Sequence, residues 1–470
     1  MKTLLFVFIL ASLVPLNAQE VYSLEKCVKI ALQKSLALQQ SNLTIQDSEL
    51  SYNQARSNRK PNLNASNGFN INFGRSIDPT TNTFITERVS SNNLQLNSNI
   101  LIYNGGRLNT LIKQSELNYD AASLDKQQAE ADIALQVATA YLNSLFAKEN
   151  ISVAKNQLKQ SEEQLNFINK LIKAGARPAN ESLDILAQIS INEQSIALAQ
   201  NSLEIALLQL KQLMTLPPNE VIELVTPDNL EGKVDPDLLS FEEAYELTLR
   251  TQPSVKASET REKSAAYNID IAKSGQYPTL SAGVNLGTPY SSKGVRRIGS
   301  QFLNQTISGE ANGVPIVLDF QQEVPAFESA TFFQQLGDNL YGGVGFFLSI
   351  PIYSQGTNKN NIQRAKLGLK SSEIATLQLK ENIQILIQQV LLDARAAKRS
   401  MAATEKTLEA RKAAFENAQK KFENGALNAF DLTTSQSLYD DAATNALIEK
   451  YNYLFRIIIL EFYTGKSLKF

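Results

Sequence analysis

Four short stretches of the chain alternate strictly between apolar and polar positions. In the first, Leu63, Ala65, Phe69, Ile71 and Phe73 oppose Asn62, Asn64, Ser66, Asn70 and Asn72; in the second, Leu94, Leu96, Ile100 and Ile102 oppose Asn93, Gln95, Asn97 and Asn99. The third sets Leu280, Ala282, Val284 and Leu286 against Thr279, Ser281, Gly283 and Asn285, and the fourth sets Val344, Phe346, Leu348, Ile350 and Ile352 against Gly343, Gly345 and Ser349. Period two predicts β-strands. An uncharged polar second face over about ten residues is the pattern of a strand between lipid and a watery lumen. A soluble sheet with one wet face gives the same pattern in any single segment, but four such segments at matched positions favour the membrane.

The intervening stretches follow a different period. Residues 106–173 contain no proline, and as one helix they would span on the order of 100 Å, too long for a compact domain. Their apolar seam runs in sevens, through Ile133, Val137, Ala140, Ser144, Ala147, Ile151, Ala154, Leu158, Ser161, Leu165, Ile168 and Ile172. That spacing calls for coiled-coil packing, and the small residues let neighbouring backbones come close. After Gly175 and Pro178 a second helix carries Ile189, Asn192, Ile196, Ala199, Leu203, Ala206, Leu210 and Leu213 at the same spacing. The pair reads as an antiparallel hairpin.

The plan is written twice. Ser23-Leu24-Glu25 falls on Ser240-Phe241-Glu242 at an offset of 217 residues, and Pro61 falls on Pro278 in the same register. Further on, Tyr103-Asn104-Gly105-Gly106 falls on Tyr353-Ser354-Gln355-Gly356, and Gly175-Ala176 on Gly425-Ala426, at an offset of 250. The difference of 33 residues is a longer loop in the second half, within 289–340. Pro61 and Pro278 mark the change from helix to strand, because proline ends a helix and suits a strand's first position. The proline- and acid-rich stretch 216–236 is a connector, which divides the chain into repeats 19–218 and 240–470 joined by 219–239.

Residues 1–18 read as a signal peptide: Lys2, an apolar run over 4–16 and a small residue, Ala18, at the expected cleavage point. Lys plus Arg number 45 against 47 Asp plus Glu, so a nucleic-acid binder resting on a basic face is disfavoured. With no histidine or tryptophan, no phosphate loop, serine elbow or Cys/His metal spacing is present, and neither an enzyme nor a cofactor is expected. The one cysteine, Cys27, rules out an intrachain disulfide. It lies too far beyond the apolar run for lipidation and reads as a buried helical thiol.

Four strands cannot close a barrel, and an open sheet edge in lipid leaves backbone groups unsatisfied at several kcal/mol each. Copies must therefore share one: two would give eight strands, filled by side chains, and three would give twelve, with a small wet lumen. The duplicated helix-strand-strand-helix-helix plan, the Asn104-Gly105-Gly106 and Gln355-Gly356 exits from the strands and the two glycine tips together resemble the TolC family of outer-membrane efflux proteins. The resemblance covers nearly the whole mature chain. It implies an α+β membrane protein: a homotrimer whose long antiparallel coiled-coil helices form an α-barrel and whose four strands per chain join a shared β-barrel in outer-membrane lipid. It also implies docking to a periplasmic adaptor and an inner-membrane transporter, so that the trimer is a passive exit duct.

The stretch 422–431 resembles the family's periplasmic tip, where acidic side chains three residues apart line the closed entrance. Asp431 matches the first acid, and Thr434 stands in place of the second. Glu181 and Asp184 hold the repeat-equivalent positions, so all three acids are gate candidates. Asp431 is equally placed to complement a helix dipole from the first turn. Gly175 and Gly425 are expected as positive-φ turn residues at the adaptor-docking tips. Tyr103 and Tyr353 fit an interfacial girdle or packing beneath the barrel. Phe470 matches the terminal aromatic of barrel proteins, but here it follows a helix. The competing reading is a periplasmic coiled-coil, adaptor-like structural protein with a soluble β-domain.

Overall fold

The computed structural model describes residues 21–226, 234–311 and 313–465. The expected signal peptide at 1–18, residues 227–233 of the connector and Phe470 lie outside the described residues. Along the chain, β1 (Val21–Tyr22), α1 (Leu24–Lys34) and α2 (Leu36–Ser57) lead to β2 (Asn64–Asn72), β3 (Ser76–Ile77), β4 (Phe84–Ile85), β5 (Val89–Asn104), α3 (Arg107–Lys173) and α4 (Glu181–Leu213). After β6 (Glu223–Leu224) come α5 (Phe241–Thr251), α6 (Pro253–Ser274), β7 (Thr279–Ser291), β8 (Val295–Ala311), β9 (Val314–Ser329), α7 (Phe332–Asp338), β10 (Tyr341–Ser349), α8 (Thr357–Glu423) and α9 (Ala429–Tyr463). The long helices α3 and α8 have 67 residues each and keep the 250-residue offset of the sequence repeat at both ends.

Each half opens with two helices where the sequence suggested one. α1 stops at Ser35 and α5 at Gln252, both with ψ of 122°. Pro253 explains the second break, since the residue before a proline is pushed out of the helical region. Ser35 makes the first by capping α2, its hydroxyl accepting the Leu38 amide at 3.4 Å. The starts are capped alike: Ser23 accepts from the Lys26 amide at 3.3 Å and Ser240 from that of Glu243 at 3.1 Å, each satisfying an orphan donor of the first turn.

The chain divides into two compact units that interleave the repeats. One comprises the described parts of 1–49, 117–263 and 370–470, and the other 50–116 and 264–369. The first unit is helical, apart from the parallel pair β1 and β6. Its main core gathers Cys27, Ala31, Val137, Tyr141, Leu210 and Leu454, and the Tyr141 hydroxyl donates to the Val225 carbonyl at 2.6 Å. Cys27 is fully buried inside α1, and burial pushes its thiol up to about 12. A separate core, Ile168, Ile185, Phe415, Phe422, Ala429 and Leu432, fills the tip of the helical hairpins. The heptad seam is real in α3: Val137, Ala140, Ser144, Ala147, Ala154, Ser161 and Ile168 are all buried.

The second unit holds an antiparallel four-stranded sheet in the order β10-β7-β5-β2. Its members are the four alternating segments. β10 ends at Ser349, so Ile350 and Ile352 lie beyond it, where Pro351 has no ladder donor to offer. The 289–340 segment is more than a loop: β8 and β9 pair as a long antiparallel ribbon, followed by α7. No described helix is long and apolar enough to cross a membrane.

Candidate channel wall and helical tips

The sheet builds a wall with two unlike faces. Ladder partners place Ala65, Leu96 and Leu286 in one row, Val284 beside Val344, and Ile100, Ala282 and Phe346 in another. These rows are open, with Val344 69% and Phe346 71% exposed. The other face sets Asn64, Asn97, Asn285 and Gly343 in one row and Asn99, Gly283 and Gly345 in the next. Amide side chains occupy the space above two of these glycines and the Phe347 ring that above Gly345: a Cβ on Gly283 would stand 2.8 Å from Asn99 Oδ1, and one on Gly343 2.9 Å from Asn285 Oδ1. β2 and β10 are the two edges of this sheet.

Phe347 and Leu101, both paired with Ser281, are apolar exceptions on the polar face, and the ladder register breaks once. A register shift between Leu101 and Tyr103 places Tyr103, not Ile102, opposite Leu280, which in turn pairs with Leu348. Tyr103 thus joins the apolar face at the end of the strand, half-exposed. Its repeat partner Tyr353 lies after β10 and is almost fully exposed.

The hairpin tips repeat each other bond for bond. α3 ends at Gly175, φ +74°, and α8 at Gly425, φ +76°. Gly175 N donates to Ile172 O at 3.0 Å and Ala176 N to Leu171 O at 2.9 Å; Gly425 N donates to Phe422 O at 3.0 Å and Ala426 N to Lys421 O at 2.8 Å. This double closure satisfies the orphan carbonyls of a helix end and needs a left-handed residue, which glycine supplies without a Cβ clash.

Arg177 ties the two tips together. Its guanidinium donates to Leu427 O at 2.9 Å, lies 5.0 Å from the Phe422 ring centroid and pairs with Glu181 at 3.4 Å. Glu181 is therefore held by a cation and largely covered. Asp184 is exposed on α4, and Asp431 is exposed in the first turn of α9. The Asp431 amide donates to Asn428 Oδ1 at 2.8 Å, which is the N-cap bond of that helix. The structure brings Glu181 into the Arg177 contact and leaves the other two carboxylates facing solvent in one chain.

A buried polar seam behind the tips includes Ser161 and Asn192 of the heptad seams, while Gln157, Gln436 and Asp440 were not singled out in the sequence. Asn192 Nδ2 donates to Ser161 Oγ at 2.9 Å and to Gln157 O at 3.2 Å. Gln436 Nε2 donates to Ser161 Oγ at 3.0 Å, and Gln157 Nε2 to Asp440 O at 3.2 Å. Asp440 is 8% exposed, and its Oδ2 has no partner among the described residues. It lines a polar cavity of about 410 Å³ between α3, α4 and α9. Desolvation, with Asp441 adding like charge, pushes its carboxyl up to about 7. The signal was in the spacing: Thr433, Asp440, Leu447 and Leu454 lie seven apart, so an acid occupies a seam position. Of Arg177's contacts only the i,i+4 pair with Glu181 is local; those that join the tips are to a backbone carbonyl and a ring 245 and more residues away.

Comparison with known proteins accounts for the arrangement. Residues 27–215 and 244–466 match the profile of the family described as outer membrane efflux protein. The probable outer membrane lipoprotein SilC of Salmonella typhimurium is 23% identical over 270 residues, 54% of this chain and 53% of SilC. The outer membrane protein TolC of Salmonella enteritidis is 24% identical over 270 residues, 56% of this chain and 52% of TolC. The chain thus spans about half the length of these curated relatives. Among solved structures, CusC superposes with a TM-score of 0.74 at 17% identity, over 94% of this chain and 92% of CusC. With both repeats inside the family match and the helix-and-strand plan shared along the chain, this protein belongs to the outer membrane efflux protein family, the TolC-like family.

Proposed function

We propose that three copies of this chain close a twelve-stranded barrel in the outer membrane and a helical barrel in the periplasm, forming the passive exit duct of an efflux or secretion system. The observation that carries the reading is the open sheet. It has an uncovered apolar face, an uncharged polar face and two unpaired edges, β2 and β10. Joining β2 of one copy to β10 of the next satisfies both edges and turns the polar rows inward. In a soluble β-domain, the competing arrangement, the apolar rows would stay in water.

In this reading residues 1–18 are removed on export, and repeats 19–218 and 240–470, joined by 219–239, each contribute a strand pair and a helical hairpin. Tyr103 and Tyr353 stand at the membrane boundary. The tips at Gly175 and Gly425 receive a periplasmic adaptor, which connects the duct to an inner-membrane transporter. Asp431 lines the periplasmic mouth with its two symmetry mates, with Asp184 and the Arg177-bound Glu181 on the neighbouring hairpin.

The test is the purified protein. An unheated sample should run on a denaturing gel as a heat-sensitive trimer and form pores in planar bilayers. Asp431→Asn removes three like charges at the mouth and should weaken cation preference in a salt gradient. A monomer without pore activity would overturn the duct. An active trimer whose reversal potential ignores Asp431 would overturn only the gate.

A further inference from the structure

The β8–β9 ribbon is the part of the molecule that the duct reading leaves unused. Its strands have 17 and 16 residues, roughly 50 Å at about 3.3 Å per residue. Ile307 pairs with Leu318 and Gln305 with Phe320, so one face carries Leu303, Ile307, Val314, Ile316, Leu318 and Phe320, all exposed, with Gln305 and Gln322 among them. The opposite face carries Asn304, Thr306, Glu310, Asp319, Gln321 and Glu323, interrupted by Phe302 and Val317. The ribbon is amphipathic, and its apolar face has no partner within its own unit.

The root of the ribbon is fixed to the sheet. Gln335 is buried beneath it, accepting from Ser291 N at 2.9 Å and donating to Ser291 O at 2.9 Å and Ala330 O at 2.8 Å. A Cβ on Gly294 would collide with the Gln335 amide, so that turn closes directly over it. Asp78, fully buried in the loop between β2 and β5, accepts from the Thr80 and Thr81 amides, both at 2.9 Å, and from the Ser291 hydroxyl. The ribbon is inserted between β7 and β10, two ladder neighbours, and β10 is the edge strand at which the next copy joins.

Lipid does not suit this face. A two-stranded ribbon keeps two open edges, and hydrocarbon cannot satisfy their backbone groups. A second copy does suit it. Twelve strands about 4.8 Å apart and tilted by about 40° close a barrel of radius about 12 Å, far less than the ribbon's length. Three roots on one rim place three identical apolar faces within reach of each other and of the axis.

We infer that the apolar faces of the three β8–β9 ribbons pack against one another about the threefold axis, capping the outer mouth of the duct. The inference rests on the trimer proposed above. Packing buries Ile316, Leu318 and Phe320 of each copy and leaves the acidic face to water.

Cysteine cross-linking tests it on the full-length trimer, with little background because Cys27 is buried. Ile316→Cys and Leu318→Cys, made separately, should each form covalent dimers under a mild oxidant, while Gln321→Cys on the other face should not. Unheated gels report the trimer in every sample. An intact trimer with no cross-link at either apolar position, or with equal cross-linking on both faces, would overturn the cap while leaving the duct. A reporter that labels with a membrane-impermeant maleimide on cells and stays uncrosslinked would do the same, since it places the face against solvent or another molecule. A parent protein that is not a trimer sinks the cap together with the duct.

Discussion

Among single residues, Asp440 has the clearest physical consequence. α3 and α4 offer it only uncharged polar and apolar groups, including Asn150, Gln157, Asn192 and Ser195, and its own helix adds Asp441. No cation is among the influences on its carboxyl, which rises from 3.8 to about 7. As pH rises, the unfolded chain gives up this proton first, so the folded seam loses stability between about pH 4 and pH 7 and is level above. Asp440→Asn removes the titration and should stabilise the helices above pH 7 by on the order of 1–3 kcal/mol, the usual penalty for an unpartnered buried polar group. Thermal melts followed by circular dichroism should show the gap between variant and wild type widening from pH 5 to pH 8. A constant gap would mean that Asp440 is ionised and solvated throughout. The first-turn place of Asp431 and the left-handed turns at Gly175 and Gly425 were legible from local sequence, because a helix stop and start are local events. The Arg177 clamp was not, because two sequence-distant tips must first meet.

At the scale of elements, the periods of two and seven gave the strands and the long hairpins, since both reflect which side of an element meets a neighbour. Features set by backbone geometry escaped: the helix break at Ser35, the shift between Leu101 and Tyr103, and the ribbon, whose alternation is blurred by Gly299, Pro315 and Pro325. The period of seven also says more than one chain can satisfy. On α4, Ile191, Leu198 and Ile205 lie seven apart and are 54%, 61% and 49% exposed, an apolar stripe parallel to the buried seam. Coiled-coil logic assigns such a stripe to another helix, and in the proposed trimer the adjacent copy supplies it. Leu198→Glu would place three charges in that interface and should shift the unheated protein towards monomer, while helix content by circular dichroism is kept. Gln200→Glu, exposed on the far side of α4 from the stripe, should leave the trimer intact. If Leu198→Glu also runs as wild-type trimer, the stripe faces water or an adaptor and the helical barrel closes along other residues.

For the whole molecule, the asymmetry between the repeats predicts which end of the proposed barrel faces outward. The strand pairs join the long helices at one end of the sheet, through residues 105–106 and 350–356. The connections at 73–88 and 292–340, which hold β3, β4, the ribbon and α7, leave from the other end. Barrels of the outer membrane keep short turns on the periplasmic side and long loops outside, so in the proposed barrel the 33 extra residues of the second half are expected outside the cell. Within 289–340, Lys293, Arg296 and Arg297 are the only tryptic sites, and all three are exposed. The ladder also loses its register between Arg297 and Gly299, which leaves Ile298 out of the pairing. Trypsin added to intact cells should therefore cut at this root and release, on heating, a C-terminal fragment beginning near residue 298, while the unheated trimer survives because the barrel ladders and helical seams lie elsewhere. Full protection until the outer membrane is opened, followed by cleavage at the same three sites, would place the ribbon in the periplasm and reverse the assignment of the two ends of the sheet.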